Sequence, residues 1–252
     1  MKRGLVLQGG GEKGAYAAGA IKALTQKKIY FDCACGTSIG AVNAAFYACK
    51  KLDAMYKLWL NTDYDEIFGI DCKVIHNLTN GTFKKSDIKK GFDMLSDVIE
   101  NKGIDTANMK KFLAKHLKES QFRKSKIDFG LNTYNLTDKC PVEIFKKDIP
   151  EGKLVEYIMS SAYLPFFKFE KIIDGKYYID GGVYSDCPVD MLIDAGYDEI
   201  YVIKAFRDKI KYKKKKGVKI HIIEPRENLG SIMSFTKEAS KYRMDLGYYD
   251  TL

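Results

Sequence analysis

The same local design occurs twice near the start of this chain. GLVLQ (residues 4–8) is a short apolar run that ends in Gly9, Gly10, Gly11 and Gly14, and the alanine-rich stretch AYAAGAIKAL follows. FDCACG (31–36) is a second run, followed by TSIGAVNAAFYACK. A short apolar run bounded by glycine reads as a buried strand. Small side chains in the following stretch let a helix pack close to a sheet. Two strand–turn–helix units in a row imply a parallel sheet with helices on its faces, an α/β architecture.

Residues 52–120 have another character. They are polar and helical in pattern, broken at Gly69, Asn80-Gly81, Gly91 and Gly103. We expect a helical insertion that covers a site. Strand character returns at 126–136 and 141–146, and 153–162 reads as a short helix. Asp174-Gly175 signals a hairpin. EIYVIKA (199–205) and VKIHII (218–223) read as further strands. Residues 231–249 read as a charged amphipathic helix docked on the outside. No linker or repeat divides the chain, so residues 1–252 are expected to form a single domain. At that length a domain buries roughly 75% of its unfolded surface and needs no staple.

The six cysteines include no CxxC pair, which argues against a zinc site. Thiols so scattered fit a reducing cytoplasm. Lys2 and Arg3 precede no hydrophobic segment of signal-peptide length, and no membrane span is expected. The net charge of +9 fits acidic partners, such as an anionic membrane surface or nucleic acid, and equally a lysine-rich composition without such a partner. A nucleic-acid partner is not expected.

Gly36-Thr37-Ser38-Ile39-Gly40 is a GxSxG turn. Such a turn exposes a serine on a tight strand-to-helix bend, where the helix dipole favours developing negative charge. The same pattern also occurs as an ordinary serine N-cap, but its strand–turn–helix context favours a nucleophile. A nucleophilic serine needs a base. The histidines are His76, His116 and His221. None sits in a glycine-flanked loop that would present it to Ser38, although a Ser-His-Asp triad stays open. A desolvated carboxylate can do the same work. The best candidate is Asp180, where the run YYI enters Gly181-Gly182; Asp174-Gly175 is the ordinary turn by comparison.

The opening loop admits two uses. Gly9, Gly11 and Gly14 satisfy a dinucleotide fingerprint, with Asp32 as the acidic partner. However, Asp32 begins its strand rather than ending it. A Walker loop fails, because Ala15 stands where lysine is required. The other use is an oxyanion hole built from backbone N–H groups at a helix N-terminus.

Three segments in order, QGGGEKGAYAAGAI, CGTSIGAVNA and YIDGGVYSDCPV, resemble the patatin-like phospholipase family in its short bacterial form. SSAYLPFFKF (160–169) resembles that family's segment before its aspartate. The resemblance implies a three-layer α/β/α sandwich and a Ser-Asp dyad without histidine. It implies Ser38 as nucleophile, Asp180 as base, and Gly9, Gly10 and Gly11 as the oxyanion hole. Lys13, Gly14, Gly36, Gly40, Gly181 and Gly182 would support them, with Lys13 orienting the loop or meeting a head group. No cofactor or metal is implied, and the substrate would be a phospholipid or other lipid ester. Asp186 departs from the family's usual asparagine, and as a second carboxylate it would raise the pKa of Asp180.

Such a reaction needs an apolar trench. Phe68, Phe83, Phe92, Met94 and Phe112 of the insertion could wall it, or form local helical core. Lys213, Lys214, Lys215 and Lys216 could dock on anionic lipid at the membrane periphery, or form a solvated loop. Other readings stand beside the lipid acyl hydrolase. These are a catalytically silent lipid-binding module, a nucleotide-binding protein using the glycine loop, and a serine peptidase or amidase.

Overall fold

The computed structural model describes residues 1–252. The two opening units form as read. β1 (Arg3–Leu7) leads through the glycine turn to α1 (Gly14–Gln26), and β2 (Cys33–Gly36) leads to α2 (Ile39–Ala48). The insertion holds α3 (Leu52–Asn61), α4 (Tyr64–Phe68), α5 (Cys72–Asn80), α6 (Lys85–Glu100), α7 (Ala107–His116) and α8 (Glu119–Lys124). Then come β3 (Asp128–Asn135), β4 (Cys140–Phe145), α9 (Leu154–Ser161) and β5 (Tyr178–Asp180). The chain ends with α10 (Val189–Asp194), β6 (Glu199–Ile203), β7 (Lys219–Ile223) and α11 (Lys237–Thr251).

The seven strands form one sheet in the order β4-β3-β2-β1-β6-β7, with β5 paired to β3. β1, β2, β3, β6 and β7 run parallel, and β4 and β5 are antiparallel to β3. Strand alternation splits the core. Leu5, Leu7 and Ala34 face one layer, which holds α1, α2 and α9. Val6, Cys33 and Cys35 face the other, with Val189, Leu192 and Ile193 of α10. The fold is a three-layer α/β/α sandwich.

The register of β3 brings distant segments together. β2 covers Asp128–Leu131 of β3 and ends with Gly36 opposite Leu131. β4 occupies the other edge of β3. β5 therefore continues on the β2 side, beyond the end of β2, with Asp180 opposite Thr133. Two residues along β3 separate the end of β2 from Asp180, so the GxSxG turn and the Asp-Gly-Gly turn arrive at one place.

The C-terminal helix, expected over 231–249, spans Lys237–Thr251 and docks on α1. It crosses α1 so closely that a Cβ on Gly19 would sit 1.9 Å from the Met244 carbonyl oxygen. Its own Ser240 and Arg243 are buried. The lysine run 213–216 leads into β7 at the start of the parallel strands, where Lys219 pairs with Glu199 at the start of β6, whereas Ser38 follows the C-terminal end of β2. Lys213 is held there by Asp194 at 2.6 Å. Those lysines lie at the opposite end of the strands from Ser38.

Candidate active site

Ser38 caps α2 with φ 57° and ψ −127°. This is a sparsely populated conformation for a residue with a side chain, and it costs about 1–3 kcal/mol. The turn is tight because α2 starts against β1. A Cβ on Gly40 would lie 2.2 Å from the Leu7 carbonyl oxygen. The Ser38 N–H donates to Ser161 Oγ at 3.0 Å. The Thr37 hydroxyl donates to Asn132 Oδ1 at 2.6 Å, and Asn132 Nδ2 donates to the Ser185 carbonyl at 2.7 Å. Thus β3 and the segment after Asp180 brace the elbow from below.

Asp180 is buried beside it. Its Oδ1 accepts from the Gly182 N–H at 2.7 Å, and its backbone N–H donates to the Tyr163 carbonyl at 2.9 Å. Oδ2 is buried without a hydrogen bond of regular geometry. Burial pushes the carboxyl pKa up, and the neighbouring Ser38 hydroxyl and the Gly182 N–H pull it part of the way back. Asp186 plays no part in this rise, contrary to the expectation from its charge. Its carboxylate accepts from Gln8 Nε2 at 2.8 Å, and its carbonyl accepts from the Gly9 N–H at 2.8 Å. Gln8 Oε1 in turn accepts from the Ala205 N–H at 2.8 Å.

These bonds sort the glycine loop. The Gly9 N–H is committed to Asp186, which differs from its expected place among the oxyanion donors. The N–H groups of Gly10, Gly11 and Ile39 carry no hydrogen bond. Gly11 has φ 56°, and a Cβ there would meet the Ile232 carbonyl oxygen at 2.4 Å. Lys13 is buried with its ammonium 4.0 Å from the centre of the Phe206 ring. Burial lowers its pKa and the Asp208 charge opposes that. It packs the loop rather than reaching towards a head group. Asp32, the ribose partner a nucleotide site would need, accepts from the Arg3 N–H at 2.8 Å at the far end of β2.

No histidine joins the site. His221 Nε2 lies 2.9 Å from Glu199 Oε1, and the ring stacks on Tyr201. His116 packs on Phe112, and His76 lies beside Asn80.

An apolar cavity of about 130 Å³ begins next to Ser38. Of its 17 lining residues 15 are hydrophobic, among them Ile39 and Val42 of α2, Trp59 of α3, Phe68 of α4, Phe112 of α7 and Met159 of α9. Of the expected walls, Phe68 and Phe112 line it. Phe83 and Phe92 instead stand exposed, and Met94 lines a separate crevice beneath α6. Its one amide, Asn43, donates to the Gly14 carbonyl at 2.9 Å and accepts from the Trp59 indole at 3.1 Å. The cavity wall is thereby tied to the glycine loop.

Sequence reading missed Gln8, Asn43, Asn132 and Ser161. Their signal was polarity inside apolar runs, as in GLVLQ and FGLNTYN. It also missed Glu12, the buried acid of the loop. Glu12 accepts from Ser240 Oγ at 2.8 Å and ion-pairs with Arg243.

A family model described as patatin-like phospholipase matches residues 5–193. Lysophospholipase nte1 of Aspergillus terreus is 27% identical over 200 residues, which are 79% of this chain and 12% of that protein. The probable lipid hydrolase 463L of Invertebrate iridescent virus 6 is 23% identical over 192 residues, 75% of this chain and 62% of that protein. The chain thus spans less than two thirds of the length of these relatives. Among solved structures, VipD from Legionella pneumophila is similar in fold, with a TM-score of 0.55 at 15% identity over 99% of this chain and 66% of that one. No helix is long and apolar enough to cross a membrane. With the family match running from β1 through both glycine turns to the Asp-Gly-Gly segment and α10, the chain belongs to the patatin-like phospholipase family.

Proposed function

We propose that the protein is a lipid acyl hydrolase that cleaves carboxylic esters of phospholipids or related lipids with Ser38 and Asp180. The observation that supports the reading is a strained, buried serine at the elbow neighbouring a buried carboxylate whose Oδ2 has no hydrogen-bond partner. Ser38 Oγ attacks the ester carbonyl carbon, and its proton passes to Asp180. The carbonyl oxygen becomes an oxyanion, held by the free N–H groups of Gly10 and Gly11 with Ile39 beside them. Gly9 serves by holding the loop to Asp186. Each such donor is worth roughly 10²–10³ in rate.

Collapse breaks the bond to the leaving oxygen, which takes the proton from Asp180 and departs as an alcohol. The acyl group stays on Ser38 Oγ. Water then gives its proton to Asp180 and attacks the acyl carbon. The second tetrahedral species releases the fatty acid, and Ser38 recovers its proton from Asp180. The raised pKa makes Asp180 a better base than an exposed aspartate. The apolar cavity beside Ile39 takes the part of the acyl chain nearest the ester.

The test is release of free fatty acid from phosphatidylcholine and phosphatidylglycerol by the purified protein. The reading expects release that Ser38→Ala lowers by several orders of magnitude. Equal release by the two proteins would reject it.

A further inference from the structure

The helix α6 wears its apolar side outward. Ile88, Phe92, Leu95 and Ile99 recur at helical spacing and are 38%, 69%, 55% and 67% exposed. They form one stripe about 16 Å long. Only Asp87 on this helix is buried. Its inner contacts are few: Met94 and Val98 share a crevice with Phe68 and Ile70. A stripe of this kind on a soluble surface marks a contact with something apolar.

Its placement says where that contact lies. Just before α6, Asn80 donates to Ser234 Oγ at 2.9 Å. The same loop carries Ile232, 42% exposed, whose carbonyl accepts from the Glu12 N–H of the glycine loop at 2.9 Å. Just after α6, Ile104 pairs with Phe167, in the segment whose Tyr163 carbonyl holds the Asp180 N–H. The helix therefore spans from the oxyanion side of the site to the Asp180 side. Val183 and Tyr184, directly after the Asp-Gly-Gly turn, are also exposed.

Charge identifies the occupant. By helical periodicity Lys85 and Lys89 are the charged residues closest to the stripe, while Asp93 and Asp97 lie across the helix and Glu100 between. Lys84 and Lys168 stand exposed at its two ends. An apolar stripe edged by lysine matches an anionic bilayer surface, with the side chains in the acyl boundary and the ammonium groups among the phosphates.

We infer that α6 is the membrane-docking element, laying Ile88, Phe92, Leu95 and Ile99 into an anionic lipid surface so that the strand ends beside Ser38 face the bilayer. The inference rests on the proposed lipid hydrolysis for its purpose, but the docking is measurable without it. The lysine run at 213–216, at the opposite end of the strands, takes no part.

The experiment is co-sedimentation with large vesicles of phosphatidylglycerol and phosphatidylcholine, run in the Ser38→Ala background so that turnover plays no role. The Ser38→Ala protein is expected to bind. Adding Leu95→Gln with Ile99→Gln lowers binding about tenfold or more, since glutamine keeps the helix while removing the apolar contact. Adding Lys85→Glu with Lys89→Glu lowers it on phosphatidylglycerol vesicles and makes it less sensitive to salt. In the Ser38 protein, both pairs leave hydrolysis of a water-soluble acetate ester unchanged. Unchanged vesicle binding in either pair overturns the inference. So does absence of binding by the unaltered surface, or a dimer in solution that the glutamine pair dissociates, which would assign the stripe to a second copy of this chain. Loss of acetate ester hydrolysis by Ser38→Ala is read separately and bears only on the proposed chemistry.

Discussion

The Ser240 hydroxyl donates to Glu12 Oε1 at 2.8 Å, joining the last helix to the glycine cradle across 228 residues. Arg243 ion-pairs with the same carboxylate, and also donates to the Leu229 carbonyl at 2.7 Å and the Ser231 carbonyl at 2.9 Å. The segment that holds the cradle thus lies beyond the family match, which ends at residue 193. Removing one member of a buried pair strands the other charge. Arg243→Met is expected to cost about 3–5 kcal/mol in urea unfolding, and Glu12→Gln with Arg243→Met less than the two single losses summed. Strictly additive losses would contradict the pairing.

Asp180 makes two pH predictions. Burial raises its folded-state pKa above the ordinary value, so the folded protein keeps a proton that the unfolded chain has lost. Stability should then fall as pH rises from the unfolded value of about 3.9 to the folded one, and Asp180→Asn should flatten that segment of the profile. The base must be ionised to accept the Ser38 proton. The acid limb of kcat/KM should therefore lie above an ordinary aspartate titration. A limb at the ordinary position would contradict the assignment, and so would one unmoved in residual Asp180→Asn activity.

Gly11→Ala places a methyl group against the Ile232 carbonyl at a positive φ. The loop must shift, and one free amide leaves its place. The expected result is a fall in kcat of about 10²-fold with KM little changed, read by steady-state kinetics on a soluble ester. A rise in KM alone would mean that the loop binds substrate without stabilising the transition state.

Val42 lines the cavity one helical turn past Ser38. Val42→Trp fills the space there. The ratio of kcat/KM for octanoyl over acetyl esters should drop about tenfold or more, with the acetyl rate preserved. An unchanged ratio would place the acyl chain elsewhere.

The two opening units were legible because strand, glycine turn and small-residue helix each carry a local signal. The Asp174-Gly175 turn was legible for the same reason, with φ of 49° and 73° at its two residues. Their meeting at Asp180 was not local. It depends on β5 continuing past the end of β2, a register with no local signal; only the resemblance put Ser38 and Asp180 together. Periodicity failed in two opposite ways. In α11 the buried residues mix Met244 and Leu246 with Ser240, Arg243 and Gly247, so a hydrophobic pattern shows only part of that face. In α6 the apolar face is the exposed one, so a pattern reader places Phe92 inside. Burial was not legible either: Lys13, expected to orient the loop or meet a head group, is enclosed beside Phe206.

The most direct measurement is covalent labelling by a fluorophosphonate, mapped by mass spectrometry. The account predicts a single adduct at Ser38 in the unaltered protein, strongly slowed by Asp180→Asn and unaffected by His221→Gln. An unlabelled Ser38 in folded protein that still hydrolyses lipid esters would contradict it, as would labelling that ignores Asp180 and depends on His221.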